Sequence, residues 1–372
     1  MFHSIRITCV IACLGCGGAE RSVVNLADYL SRRGYQVTLL TIRSDIADFY
    51  PIPKNVTRIF ADPQAARSHR WFNLPMQWQR NNALRSSLLS TYPDLVVSFS
   101  DTTNIFVLQV MAGSDVPIVV SERTDPRFHP IGWRWELLRS VYYPTAKKVV
   151  FQTEATCQWA KQKWPCWDTI SIPNPIAPPP AHLPVRSNLL DSSKKTVVAM
   201  GRLHPVKGFN LLLDAFSLIA EPFPDWQLVI LGEGDLRSEL AGQIEQLNLS
   251  ERVSLPGAVS EPTSVLKYAD LFVLSSHYEG FPNALLEAMA CGLPVVSFDC
   301  PSGPAEIIRD CIDGVLVPPR DVQALSTAMA DLMSNELERQ NLGTKATKVV
   351  QRFSVEKLIN QWQKVISDCA AL

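Results

Sequence analysis

The sequence predicts an α/β protein built from two doubly wound parallel sheets. Three observations support this prediction: short apolar runs alternate with helical stretches, a proline-rich segment interrupts the pattern near mid-chain, and the alternation then resumes. The chain has 372 residues, and at roughly 150 residues per domain this suggests two or three domains. A composition of 47% hydrophobic and 19% charged residues is globular rather than disordered or disulfide-rich.

The N-terminal half, residues 1–175, predicts a first domain. Six runs rich in β-branched residues are typical of strands: Ile5–Ala12, Gln36–Ile42, Asn55–Phe60, Asp94–Phe99, Pro117–Ser121 and Lys147–Gln152. A helix is predicted over Ala19–Arg33, because apolar residues recur at helical spacing and Gly34 follows as a stop signal. Continuous apolar strands alternating with helices indicate a parallel sheet covered on both faces.

Residues 176–190 predict a semi-rigid linker, since Ile172–Pro184 contains six prolines in thirteen residues. Residues 191–353 predict a second domain with strands at Thr196–Met200, Gln227–Leu231, Arg252–Leu255, Leu271–Ser275, Pro294–Phe298 and Gly314–Val317. Its predicted helices are Asn210–Ile219, Leu236–Gln246, Ala284–Ala290 and Val322–Met333. The last segment, residues 354–372, predicts an amphipathic helix over Val355–Cys369. Ligands of such a protein would bind between the halves, at the carboxyl ends of the strands.

Segment lengths, cysteine spacing and charge bear on where the protein acts and what it binds. The apolar run Ile5–Leu14 is much shorter than the ~20 residues of a membrane span, and we interpret it as a core strand rather than a signal peptide. Nine scattered cysteines indicate reduced thiols in a cytosolic protein, and Cys13-x2-Cys16 lacks the second ligand pair of a zinc site. A net charge of −1 hides +6 in residues 1–185 and −7 in residues 186–372.

Two glycine-containing turns follow predicted strands. Gly15–Arg21 opens a helix, where backbone N–H groups could approach an anion, although a tight turn without ligand would look the same. It is not a dinucleotide fingerprint, because the third glycine is absent and the second strand ends without an acid. Gly201–Gly208 carries Arg202 and Lys207, two cations that suit a diphosphate or are simply exposed surface charges.

The most specific motif is Ser275–Pro294, where a strand end, a glycine loop and a helix start follow one another. Glu279 lies in the loop and Glu287 eight residues later in the helix. Free N–H groups at a helix start favour phosphate, and two carboxylates beside them could accept hydrogen bonds from sugar hydroxyls. The alternative is that Glu279 is a surface charge and Glu287 an ordinary first-turn acid. Gly232–Arg237, a further strand-to-helix turn containing Gly234, is a weak signal alone.

In this order, Gly-Gly-Ala-Glu-Arg, Gly-Arg-Leu-x4-Lys-Gly and Glu-x7-Glu resemble family 4 retaining glycosyltransferases, from about residue 5 to residue 320. The resemblance implies the GT-B fold: two Rossmann-like domains facing a cleft, with the C-terminal helix crossing back to the first. It implies an N-terminal acceptor domain and a C-terminal nucleotide-sugar domain. Arg202 and Lys207 would hold the diphosphate, Glu279 with Gly280 and Phe281 the sugar, and Glu287 the ribose. Gly17, Gly18 and Gly234 would also line the donor site, and no metal or other cofactor is expected.

One departure from the family concerns the acceptor side. Related enzymes often carry a histidine after an N-domain strand, whereas the matching run Val119–Pro126 has none. Glu122, Arg123 or Asp125 could act there instead, and the general base is left unassigned. Whether retention uses a covalent carboxylate or same-face attack is also left open.

Basic and aromatic side chains alternate in two parts of the N-terminal half. Pro63–Pro93 contains Arg67, Arg70, Trp71, Phe72, Trp78, Arg80, Arg85 and Tyr92, and Arg127–Lys148 adds Trp133, Trp135, Tyr142 and Tyr143. Such a surface suits an anionic membrane, although a solvated basic face over core aromatics is the alternative. Nucleic acid is not expected, since the chain is nearly neutral.

We therefore expect a cytoplasmic enzyme, peripheral at the inner face of the plasma membrane. It would move a hexose or N-acetylhexosamine from a UDP-sugar to a polyprenyl-diphosphate-linked glycan in surface polysaccharide biosynthesis. A nucleotide-sugar epimerase and a noncatalytic sugar-nucleotide-binding protein are the alternatives.

Overall fold

The structure is a computed structural model that describes residues 4–61, 74–180 and 188–370. The chain forms two compact units, one comprising Met1–Asn174 with Glu356–Leu372 and the other Pro175–Val355. Each unit contains one sheet in which all neighbouring strands are parallel. The predicted fold class is thereby confirmed.

The first unit has a seven-stranded sheet in the order β3-β2-β1-β4-β5-β6-β7. Its strands are β1 Arg6–Ile11, β2 Gln36–Thr41, β3 Val56–Phe60, β4 Leu95–Phe99, β5 Ile118–Ser121, β6 Lys148–Phe151 and β7 Thr169–Ser171. Its helices are α1 Gly18–Arg32, α2 Leu74–Ser90, α3 Asp101–Val110, α4 Trp133–Tyr142 and α5 Glu154–Lys163, and the C-terminal helix α14, Val355–Cys369, belongs to this unit from Glu356 onward.

The second unit has a six-stranded sheet in the order β10-β9-β8-β11-β12-β13. Its strands are β8 Lys195–Met200, β9 Trp226–Leu231, β10 Val253–Gly257, β11 Leu271–Leu274, β12 Val295–Phe298 and β13 Val315–Val317. The helices are α6 Phe209–Ser217, α7 Arg237–Gln246, α8 Thr263–Leu266, α9 Asn283–Ala290, α10 Pro304–Ile307, α11 Val322–Ser334, α12 Glu336–Ala346 and α13 Val349–Arg352.

Each predicted strand is present, with ends within two residues of those expected. The apolar runs succeed as predictors because central strands of a covered parallel sheet are buried on both faces, as in β4, β9 and β11. The strand β7 was not predicted: it has three residues and pairs at the edge of the sheet with β6, where no long apolar run is required. Residues 181–187 of the predicted linker lie outside the described residues.

Both sheets reverse their winding direction beside their first strand, between β1 and β4 and between β8 and β11. In open parallel sheets, the loops after the carboxyl ends of the two strands at such a switch point form the usual ligand crevice. Among the described residues, no helix has both the length and the hydropathy of a membrane span.

Candidate functional site

The switch point of the second sheet brings together two loops that sequence analysis singled out. The loop after β8 contains Arg202 and Lys207, and the loop after β11 contains Glu279. Lys207 Nζ lies 2.6 Å from Glu279 Oε1 and forms an ion pair with it. The side chains are 22% and 10% exposed, so the pair is largely buried rather than on an open surface.

Local backbone contacts fix the geometry of this ion pair. Gly208 ends the 3₁₀ turn Pro205–Lys207 with φ +58°, and a Cβ there would lie 2.2 Å from the Ser275 carbonyl oxygen. Ser275 Oγ donates to the Lys207 carbonyl at 2.9 Å, and Ser276 Oγ donates to Glu279 Oε1 at 2.6 Å. The Lys-Gly spacing of the motif therefore reflects a close approach between the two loops that only glycine permits.

The other predicted donor residues have distinct environments. Arg202 is exposed, and no described residue makes a hydrogen bond or an ion pair with its side chain. Glu287 is half-buried and is the fifth residue of α9, so it does not belong to the first turn that an ordinary dipole-compensating acid would occupy. Gly280 is half-buried, whereas Phe281 is buried against Phe353 with ring centroids 5.4 Å apart.

Gly234 has a packing requirement of its own. A Cβ at this position would lie 2.3 Å from the carbonyl oxygen of Leu203, and one at Gly232 would lie 1.9 Å from that of Gly201. Leu203 N also donates to the Glu233 carbonyl at 2.9 Å. The glycines of the loop after β9 therefore let it pack against the loop that carries Arg202, which explains them without a ligand.

In the first unit, Gly17 and Gly18 lie where β1 leads into α1. Gly17 is the N-cap, and Gly18 is the first residue of the helix. The Glu20 carboxylate folds back over Gly17, where a Cβ would lie 2.3 Å from Glu20 Oε2. Tyr50 Oη donates to the Gly17 carbonyl at 3.2 Å. An acid in the first turn is the charge that a helix start favours. A phosphate that bound at this helix start would therefore lie close to the negative charge of Glu20.

Of the three acceptor candidates, Glu122 and Asp125 are placed in the interior rather than at a surface. Each is 1% exposed. Glu122 accepts a hydrogen bond from Tyr143 Oη and lies 3.5 Å from Arg139 Nε, and burial raises its pKa to about 7. Asp125 accepts from the Arg127 guanidinium at 2.6 Å and from Thr156 Oγ1 at 3.1 Å. These contacts show that both acids hold the loop after β5, and a role of either in acceptor binding stays a prediction.

Arg123 differs from its neighbours because its side chain is only half-buried. Its guanidinium donates to Asn174 Oδ1 at 2.5 Å and to Ser121 Oγ at 3.3 Å, at the carboxyl edge of the first sheet. Nε is buried without a partner among the described residues, and none of their carboxylates forms an ion pair with this side chain. Burial lowers the pKa of Arg123 to about 9, against the opposing effect of Glu20.

Sequence reasoning missed two histidines. His129, in the loop between β5 and α4, has Nε2 3.4 Å from Asp101 Oδ2 at the start of α3, so a histidine does lie near this sheet edge. His277, two residues before Glu279, has Nδ1 buried without a partner among the described residues. Burial and the nearby Arg320 lower its pKa. His277 lies within the Ser275–Pro294 motif, so the sequence could have indicated it. His129 pairs with Asp101, 28 positions away, and no local sequence pattern links the two.

The predicted basic and aromatic surface is only partly solvent-facing. Arg67, Arg70, Trp71 and Phe72 lie outside the described residues, as does the side chain of Trp78. Arg85 donates to the carbonyls of Val110 and Ala112, and Tyr143 is fully buried, so these two are corrected to structural roles. Tyr92 and Trp133 are 71% and 73% exposed. Within the described ranges, no group of three His, Cys, Asp or Glu side chains is placed to hold a metal ion.

Two family models and several known proteins are similar to this chain. The family model "Glycosyltransferase Family 4" matches residues 16–178, and "Glycosyl transferases group 1" matches residues 185–349. An exopolysaccharide phosphotransferase of Streptomyces coelicolor is 36% identical over 228 residues, which are 60% of this chain but only 24% of that protein. An α-1,4-N-acetyl-D-galactosaminyltransferase of Campylobacter jejuni, named for a diphospho-undecaprenol-linked substrate, is 25% identical over 98% of this chain and 99% of its own length.

Solved structures support the fold. The crystal structure of Staphylococcus aureus TarM in complex with fondaparinux, α-GlcNAc-glycerol and UDP has a TM-score of 0.81 at 15% identity, covering 97% of this chain and 99% of that chain. At this level of identity the similarity concerns architecture alone. The two family models together span most of the sequence, and the chain belongs to the glycosyltransferases that combine a family 4 domain with a group 1 domain.

Proposed function

We propose that the chain is a retaining glycosyltransferase that transfers a hexose or N-acetylhexosamine from a UDP-sugar to a polyprenyl-diphosphate-linked glycan in bacterial polysaccharide biosynthesis. The observation that carries the proposal is the meeting of Lys207 and Glu279 at the switch point of the second sheet, with Arg202 exposed on the same loop. A cation pair and a carboxylate are what a sugar diphosphate requires: positive charge for the phosphates and an acceptor for sugar hydroxyls.

The proposed division of work follows from these side chains. When the bond between the anomeric carbon and the diphosphate oxygen breaks, negative charge accumulates on the leaving nucleotide. Arg202 and Lys207 stabilise it without a metal ion, while Glu279 orients the sugar and Glu287 accepts from the ribose hydroxyls. The new bond forms to an acceptor hydroxyl, whose O–H bond breaks as its proton passes to the departing diphosphate. Arg123 is the sheet-edge residue of the first unit available to contact the acceptor.

The acceptor class is supported by the relatives. The Campylobacter enzyme is named for a diphospho-undecaprenol substrate, and it matches this chain over nearly its whole length. A lipid-linked acceptor agrees with the excess of positive charge in the N-terminal half and with peripheral attachment to the inner face of an anionic membrane. An epimerase would require no acceptor, and nothing in the first unit favours it.

Thermal unfolding with UDP, GDP or ADP, each with and without EDTA, tests the donor side. Ligand at a hundred times its dissociation constant adds about 2.7 kcal/mol, a shift of several degrees. We expect a UDP-selective shift that survives EDTA and that is lost in Arg202→Met and Lys207→Met. The control Lys348→Met removes an exposed lysine elsewhere in the second unit and should keep the shift. A GDP-selective shift would change the donor class, and no nucleotide response would refute the site.

A further inference from the structure

The outward face of α4 carries a stripe of exposed apolar side chains. Trp133, Leu137 and Val141 are 73%, 57% and 57% exposed. Because residues four apart lie on one face of a helix, the three side chains form a continuous strip, roughly 12 Å long at 1.5 Å rise per residue. Exposed apolar strips of this kind are uncommon on soluble surfaces and mark sites of interaction.

The strip is not required for packing within the first unit. The inward face of α4 already supplies Trp135, Leu138 and Tyr142, which pack against the hydrophobic core of that unit. The helix is therefore apolar on two opposite faces. A helix of that kind is normally buried on both, and no described residue of the unit covers the outward face.

Positive charge lies beside the strip. The Arg134 guanidinium lies 5.2 Å from the centroid of the Trp133 ring. Lys147 is exposed just beyond the helix. Glu136, the one acid of α4, is paired with Arg139 Nη1 at 3.0 Å and so does not offset these cations.

This combination selects a lipid surface over a protein. An indole and two aliphatic side chains flanked by arginine and lysine match the layered chemistry of an anionic bilayer, with an apolar interior beneath negative headgroups. A second copy of the chain would present like charge. Three side chains also expose only a few hundred Å², well below the ~800 Å² per partner that a standard protein interface buries.

We propose that α4 is a membrane-docking helix that inserts Trp133, Leu137 and Val141 into an anionic bilayer. The docking itself requires only this surface. Its use, which is to hold the first unit beside a lipid-linked acceptor, rests on the proposed function. Of the four aromatic residues expected from sequence in Arg127–Lys148, Trp133 belongs to the strip, whereas Trp135, Tyr142 and Tyr143 pack against the core.

Flotation with vesicles tests the proposal. We expect the full chain to bind phosphatidylcholine–phosphatidylglycerol vesicles more strongly than pure phosphatidylcholine vesicles. The triple variant Trp133→Ser, Leu137→Ser, Val141→Ser should lower the partition coefficient at least about tenfold, since each removes apolar area from the bilayer. The matched control Leu218→Ser, Leu337→Ser removes two apolar side chains that are 55% and 79% exposed in the second unit, and it should bind like the wild type.

Circular dichroism and the melting temperature establish that the variants fold. If the triple variant does not fold, the single variant Trp133→Ser replaces it and is expected to weaken vesicle binding severalfold. Equal flotation of wild type and folded variant would overturn the proposal, as would absence of binding to anionic vesicles. A lipid-free dimer that the triple variant abolishes, seen by light scattering, would assign the face to self-association instead. The rate of sugar transfer to a water-soluble acceptor analogue should be unchanged in the variant. If UDP does not raise the melting temperature of the wild type, that result counts against the proposed function and not against docking.

Discussion

Replacing Glu279 by Gln should destabilise the second unit because Lys207 then loses the carboxylate that it contacts at 2.6 Å. Exposed ion pairs contribute about 0–1 kcal/mol, whereas removing one partner of a fully buried pair costs about 3–5 kcal/mol. Side-chain exposures of 22% and 10% place this pair between the two limits, and we expect a loss of about 2 kcal/mol. For a domain of this size, that loss lowers the melting temperature by roughly 4–8 °C.

A double-mutant cycle with Lys207→Met separates the pair from its surroundings. Lys207→Met keeps most of the aliphatic stem and should cost about as much as Glu279→Gln, because it leaves a largely buried carboxylate with Ser276 as its remaining partner. The double variant leaves no charge behind, so its loss should be close to that of one single variant. Differential scanning calorimetry is the suitable assay, because it can resolve the unfolding of two units. Losses that add within about 0.5 kcal/mol would refute the coupling.

Nucleotide binding distinguishes the roles of the two side chains further. If Lys207 contacts the diphosphate and Glu279 the sugar, UDP should still raise the melting temperature of Glu279→Gln but not that of Lys207→Met. Equal loss in both variants would mean that the pair acts as one structural unit and that this assignment of roles is wrong.

Four further variants test individual contacts of the structure. Gly208→Ala should cost at least about 1–2 kcal/mol in urea unfolding, since φ is +58° and the new Cβ would meet the Ser275 carbonyl, whereas Gly242→Ala in α7 should gain about 0.5–1 kcal/mol because its Cβ position is open. Because the folded state raises the pKa of Glu122 from 4.5 to about 7, its protonated form adds stability that is fully present below the unfolded pKa and is lost as the pH rises through about 7. The unfolding free energy of the wild type should therefore fall by up to about 3 kcal/mol between pH 5 and 8 relative to that of Glu122→Gln. Parallel pH profiles of the two proteins would contradict this expectation. Tyr143→Phe should cost about 1–3 kcal/mol by thermal melting, because the buried carboxylate of Glu122 loses its hydroxyl donor and Asn104 Nδ2 loses an acceptor; an unchanged melting temperature would show that the contact is dispensable.

The donor side of the site could be anticipated from sequence because its residues stand in local motifs. Lys207 is 72 residues from Glu279, yet each follows the carboxyl end of a predicted strand. Adjacent parallel strands bring those ends to one edge of the sheet, so the order of the motifs along the chain predicts that Lys207 and Glu279 lie close together. The sequence could not reveal that Gly208 and Gly234 serve loop packing, because a glycine required by a ligand and one required by a backbone contact look identical in sequence.

The α4 segment shows a different limit. Its sequence, Trp133–Tyr142, is apolar at two sets of helical positions, and either set could face the core. The choice depends on the surface presented by α3 and by the sheet, which is assembled from segments far away in the chain. The four aromatic residues singled out in this part of the sequence are therefore divided by the fold, with Trp133 exposed and Trp135, Tyr142 and Tyr143 packed against the core.

The acceptor candidates show most clearly what the sequence cannot predict. Glu122, Arg123 and Asp125 are nearly adjacent in sequence, yet their side chains have different environments. All three follow β5 in a loop, where no regular alternation of side chains applies. The burial of the two acids is decided by partners that become neighbours only on folding: Tyr143 and Arg139 for Glu122, and Thr156 for Asp125. Arg123 is directed to the sheet edge, where Asn174 and Ser121 accept hydrogen bonds from its guanidinium. Its Nε is buried without a partner among the described residues, and the charge of Glu20 only partly offsets the effect of burial on its pKa. Among the three candidates, Arg123 is therefore the one that we propose to contact the acceptor, because it retains a buried N–H group without a partner among the described residues.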